Sequence, residues 1–121
     1  MRTILAIILV TLATHTNASE QILYCTPDNS IGFAPSENYK QHTYKLNRFT
    51  LKLDYSAKTA RSKAIYLSGR VKCIFSGDDI YCLSDFGTAF GLNSKTNRFH
   101  HASVFISDDD IHIEYGKCEK F

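Results

Sequence analysis

Apolar and polar residues alternate strictly over Phe49-Thr-Leu-Lys-Leu-Asp-Tyr55. Phe49, Leu51, Leu53 and Tyr55 fall on one side, and Thr50, Lys52 and Asp54 on the other. This is the period of a half-buried strand. Ile65 to Phe75 repeats it, with Ile65, Leu67, Val71, Cys73 and Phe75 on one face. Shorter stretches predict strands at Ile22–Thr26, Ile31–Phe33, Ile80–Leu83, Thr88–Leu92, Phe99–Ile106 and Ile111–Tyr115. Turn chemistry separates them at Pro27-Asp28-Asn29, Pro35 to Asn38, Ser76 to Asp79, Asn93 to Asn97 and Ser107 to Asp110. Only Tyr55–Lys63 has helical character, and it is short and polar enough to read as a loop or a turn or two. Short strands at hairpin spacing indicate an all-β antiparallel meander, closed as a small barrel or folded as a sandwich.

One hairpin is specified in detail. Gly77 stands at the first central position of the loop Ser76-Gly77-Asp78-Asp79, as a type II′ turn requires. Centring the turn there sets Phe75 opposite Ile80 and Cys73 opposite Cys82, at a non-hydrogen-bonded position. Cα atoms at such a position lie about 4.5 Å apart, within disulfide range. The same register extends to Val71 opposite Ser84, Arg70 opposite Asp85 and Phe86 over Gly69. The four cysteines admit other pairings. This register favours Cys73–Cys82, which leaves Cys25 for Cys118 and ties the first strand to the last.

The apolar run at the N-terminus has another meaning. Met1-Arg2 is a short positive region, Ile4–Val10 is apolar, and Thr16-Asn17-Ala18 offers small residues for cleavage before Ser19. Residues 1–18 read as a signal peptide and 19–121 as a single disulfide-stapled domain. The run is shorter than the ~20 residues of a membrane span, and no later segment is longer. The expected location is therefore exported, periplasmic or secreted, where cysteines oxidise.

Formal net charge is only +2, but it is unevenly spread. Nine basic residues lie between Lys40 and Lys72 against Asp54 alone, whereas eight acidic residues follow Cys73 against four basic. Adjacent basic and acidic strands would neutralise one another. Otherwise the region around Lys58, Arg61 and Lys63 forms a basic partner-binding patch for a protein or an anionic envelope component. No nucleic-acid partner is expected, and the chain is expected to be monomeric.

Candidate chemistry is sparse. His100 and His101 are adjacent on a strand and point to opposite faces. His112 and Glu114 share a face, but a metal site there would need His101 or another ligand brought alongside by the fold. Asp108-Asp109-Asp110 lacks the alternating ligands of a calcium loop. Bridged cysteines leave no thiol nucleophile. No metal, no cofactor and no catalytic residues are expected, and the chain reads as non-enzymatic. Phe33, Phe49, Phe75, Phe86, Phe90, Phe99 and Phe105 would fill the interior of a small barrel rather than line a ligand cavity.

Tyr24-Cys25, Gly32-Phe33, Cys73 with Cys82, Phe90-x-x-Asn93, Arg98-Phe99 and Gly116-x-Cys118 together resemble a group of small exported bacterial proteins with four cysteines and no assigned activity. The resemblance implies a periplasmic β-protein and supplies no functional residues. Ser68-Gly69-Arg70, with an early and a late cysteine, is similar in a more limited way to the β-barrel inhibitors of C-type lysozyme. The hairpin register puts that tripeptide inside a strand, and the chain has no Trp, so no binding residues carry over. The expected function is a binding or interaction module; the alternative is a protein inhibitor of a secreted hydrolase such as lysozyme.

Overall fold

The structure, a computed structural model, describes residues 20–64, 67–85, 87–105 and 110–120, without the side chains of 68–70 and 105. The predicted signal peptide lies outside these residues. The strands are β1 (Glu20–Phe33), β2 (Gln41–Thr43), β3 (Phe49–Asp54), β4 (Thr59–Ser62), β5 (Leu67–Ser76), β6 (Asp79–Leu83), β7 (Thr88–Asn93), β8 (Arg98–Phe105) and β9 (Asp110–Lys120). From β3 onward each strand pairs antiparallel with the next, and β9 returns to β1. The result is a closed eight-stranded barrel of β1 and β3–β9, with β2 added to the far end of β1.

The specified hairpin forms in the expected register, with Ser76 opposite Asp79, Phe75 opposite Ile80 and Cys73 opposite Cys82. Gly77 has φ +59° and Asp78 is not left-handed, as a II′ turn demands. Both disulfides are present, Cys73–Cys82 with Cα atoms 4.2 Å apart and Cys25–Cys118 with Cα atoms 3.9 Å apart. Beyond Cys82 the expected register does not continue. β6 ends at Leu83, and Ser84 turns to β7, where its Oγ accepts from Thr88 N at 3.0 Å. The β5–β6 ladder thus ends at Cys73–Cys82 without the expected Val71–Ser84 pair, and the Arg70–Asp85 and Phe86–Gly69 contacts fall on residues or side chains outside those described.

Two other expectations are corrected. Pro27-Asp28-Asn29 is no turn but a β-bulge in one continuous strand, where the register against β9 shifts between Pro27 and Asn29. Tyr55–Lys63 is no helical loop either. Asp54 Oδ1 accepts from Ala57 N at 2.9 Å to turn the chain, and β4 follows, with Ala60 and Ser62 buried.

Inward residues line up as rows across neighbouring strands. Leu23 opposite Leu51, Leu53 opposite Ala60 and Ala60 opposite Val71 make one end apolar. Full burial of each large aliphatic side chain contributes about 1.5–3 kcal/mol. Tyr55 closes this end from outside, edge-on to Phe75 at 5.4 Å, its hydroxyl donating to Gln21 at 2.9 Å. At mid-barrel Phe99 stacks on Phe90 at 5.9 Å and meets Phe49 edge-on at 5.2 Å. The described phenylalanines of the centre are thus packed against one another.

Candidate functional site

The far end of the barrel interior is polar. β3 and β4 stop short here, while β1, β8 and β9 run on. The inward rows become Ser30–Glu114–His101 and Gly32–His112–Ser103–Thr88. Ser30, Thr88, His101, Ser103 and Glu114 are all buried. The segment after β2 covers this end, anchored where Tyr44 N donates to Ser30 O at 2.9 Å. Gly32 permits that cover, since a Cβ there would collide with the Tyr44 ring and lie 2.8 Å from Ile111 O. The chamber, open to solvent on the side of Lys45, Asn47 and Ala64, has a volume of about 350 Å³.

Its hydrogen bonds form two chains. Thr88 Oγ1 and Ser103 Oγ lie 3.3 Å apart, and Ser103 Oγ is 2.9 Å from His101 Nε2. His101 Nδ1, on a residue only 3% exposed, has no partner. In the second chain Ser30 bonds the Glu114 carboxylate and lies 2.6 Å from His112 Nε2. The Tyr44 hydroxyl donates to Asp110 over 3.4 Å, and its ring meets His112 edge-on at 5.0 Å.

Burial, with His112 nearby, lowers the His101 pKa to about 4, so its imidazole is neutral at pH 7. Burial also raises Glu114, against the opposing effects of Ser30 and His112. Tyr44 is raised by burial and by Asp110. Ser30, His112 and Glu114 do not make a nucleophilic relay. Ser30 Oγ at 2.6 Å and Glu114 Oε2 at 3.9 Å approach the same nitrogen, Nε2, whereas a relay places the carboxylate on the opposite one. The fold does bring His101 alongside His112, with ring centroids 5.8 Å apart. Among the described residues, however, no three His, Cys, Asp or Glu side chains come together in a way that would hold a metal ion.

The outside of the barrel has two contrasting halves. Across β5–β9 the outward residues form the rows Ile74–Tyr81–Gly91–His100–Tyr115 and Leu83–Ala89–Ala102–Ile113, continued by Val104 opposite Ile111. Leu83 is 71% exposed, Ile74 69% and Tyr81 54%. The small residues Ala89, Gly91 and Ala102 make a trough between the Tyr81–Leu83 and Ile111–Ile113 ridges. Single exposed apolar residues are ordinary, but contiguous rows of them mark contact surfaces.

The opposite half carries a basic groove, with Glu20 and Asp54 at one side of it. Lys52 on β3 stands directly opposite Arg61 on β4. Arg48 and Lys63 line the same open groove. None of these four forms an ion pair among the described residues. At this pair the strands add like charge rather than neutralising it. Of the expected basic residues, Arg61 and Lys63 are brought together, while exposed Lys58 sits apart in the β3–β4 turn with φ +53°. Arg48 and Lys52 join the groove because strand parity puts Lys52 outward beside Arg61. Ser68-Gly69-Arg70 lies within β5 and forms no projecting loop. Comparison with protein-family models, curated proteins and solved structures finds no match to this chain.

Proposed function

We propose that this protein is an exported, non-enzymatic interaction module that docks a protein partner on the apolar outer face of β5–β9. The observation that carries this reading is the pair of apolar rows with a trough of Ala89, Gly91 and Ala102 between two ridges. Five strands at about 4.8 Å spacing make a face roughly 20 Å wide, the scale of a protein–protein contact rather than a small-molecule one. His100 is the one ionisable side chain in its central rows apart from the Tyr81 and Tyr115 phenols. A partner presenting an apolar ridge with few charges fits it. The two disulfides agree with an oxidising, exported setting, where a small domain gains from covalent staples.

The basic groove supports a second reading, binding of an anionic envelope component through Arg48, Lys52, Arg61 and Lys63. Salt separates the two, because charge-driven binding weakens with ionic strength and apolar docking does not. The test is cross-linking capture from the native cell envelope, using wild type, Leu83→Asp/Ile113→Asp and Lys52→Glu/Arg61→Glu proteins. One partner should be retained by wild type at high salt, lost by the first variant and kept by the second. Loss with the second variant and not the first transfers the function to the basic groove.

A further inference from the structure

We propose that the polar chamber at the far end of the barrel is a binding site for a small hydroxylated molecule of monosaccharide size. This inference is independent of the outer docking face. At about 350 Å³ the chamber lies at the lower end of small-molecule sites, which span roughly 300–1,000 Å³. Its existence departs from the usual eight-stranded barrel, which side chains fill. Here the inward Ser30 is too small to fill the space between Tyr44, Phe49 and Glu114.

The wall chemistry narrows the occupant. His101 Nδ1 is buried and unpartnered, and His101 lines the chamber. A buried polar nitrogen without a hydrogen bond is uncommon and asks for a partner. An apolar ligand would strip water from Asp110, Lys45 and Asn47 on the same wall without replacing its hydrogen bonds. An anion would meet the carboxylates of Asp110 and Glu114, both on the wall. A metal ion lacks three converging ligands. What remains is a neutral or singly cationic ligand that donates and accepts hydrogen bonds. Asp110 and Glu114 accept, Asn47 does both, and Lys45 donates. The Tyr44 and Phe49 rings supply apolar surface for a sugar's C–H face.

Saturation-transfer NMR on the full mature protein tests this, with D-glucose as the neutral probe and D-glucosamine as the cationic one, each at millimolar concentration. Transfer to the sugar ring protons is expected for at least one probe. Tyr44→Phe, which keeps the ring, and Asp110→Asn, which keeps the shape, should each reduce it several-fold, while Leu83→Asp on the outer face leaves it unchanged. Both chamber variants are near-isosteric, and chemical-shift dispersion verifies their folding. Absence of transfer to either probe means the chamber holds solvent only and overturns the proposal. Transfer that survives both chamber substitutions overturns it equally, by placing the sugar elsewhere.

Discussion

His101 on β8 stands directly opposite Glu114 on β9, and both are buried inside the barrel. Burial moves each towards its neutral form, which lowers the histidine pKa to about 4 and raises the glutamate. The two have opposite consequences for stability. Between pH 6.5 and 4 the unfolded chain's histidine takes up a proton that folded His101 refuses. Its contribution is complete above pH 6.5 and is lost as pH falls to 4, about 3 kcal/mol over the window. Glu114 acts in the other sense: its contribution is present at low pH and is lost as pH rises through its raised folded value. Between pH 7 and 4.5 the wild-type urea midpoint should therefore fall by the His101 loss less the Glu114 gain. In His101→Gln, which retains a bond to Ser103, the fall should be markedly shallower. An equal fall in both proteins would remove His101 as its source.

Gly116 and Gly91 make opposite predictions from the same substitution. Gly116 faces inward at the β1 bulge, where an added Cβ would collide with Thr26 O and lie 2.7 Å from Pro27 Cα. Both are backbone, so neither can swing aside. Gly116→Ala should cost about 3 kcal/mol, at the upper end for overpacking. At Gly91 the nearest atom is the Tyr81 ring at 3.7 Å, ordinary contact. Gly91→Ala should leave stability unchanged or raise it by about 0.5 kcal/mol, through a less flexible unfolded chain. Thermal melts of the two variants provide the comparison.

Much of this barrel was legible because apolar alternation and turn chemistry agreed. Gly77, with Cys73 and Cys82 placed symmetrically about it, specified a hairpin to the residue. β4 was missed because its inward residues, Ala60 and Ser62, are too small to register as apolar positions. β1 was divided because Pro27-Asp28-Asn29 has the composition of a turn, and only pairing with β9 makes it a bulge. The chamber was hidden for a related reason: its inward residues are Ser, Thr, His and Glu, the types that ordinarily face solvent. A signal was nevertheless present. Counting by twos from Cys118 puts Gly116, Glu114 and His112 inside, and leaves Ile111, Ile113 and Tyr115 outside on the apolar face.

Lys52 opposite Arg61 is a like-charge cross-strand pair, an arrangement that destabilises a sheet. Lys52→Glu converts it to an attractive pair and should raise stability by about 0.5 kcal/mol at low salt. Added salt should narrow the difference, because it screens repulsion in wild type and attraction in the variant. Denaturant unfolding of both proteins at two salt concentrations measures this. A stability loss in Lys52→Glu would show that Lys52 has a favourable role in the folded sheet outweighing its repulsion with Arg61.

The two disulfides should contribute unequally, although both join neighbouring strands across inward positions. Cys73 and Cys82 are 9 residues apart, and Cys25 and Cys118 are 93 apart. In the chain-entropy model a cross-link stabilises by restricting the unfolded chain, by about 2.7 kcal/mol for the short loop and about 4.7 for the long one. Cys25 and Cys118 also hold β1 to β9, the pairing that closes the barrel. Breaking this link frees both ends of the chain at once. Cys73 and Cys82 belong to a hairpin that its turn already fixes. Replacing each pair by alanine leaves comparable small cavities, so the difference reports mainly on connectivity. Cys25→Ala/Cys118→Ala should lower the unfolding free energy by about 2 kcal/mol more than Cys73→Ala/Cys82→Ala. Equilibrium denaturation of the two double variants decides it, and the reverse order would mean that the hairpin, not the β1–β9 seam, is the weaker part of the barrel.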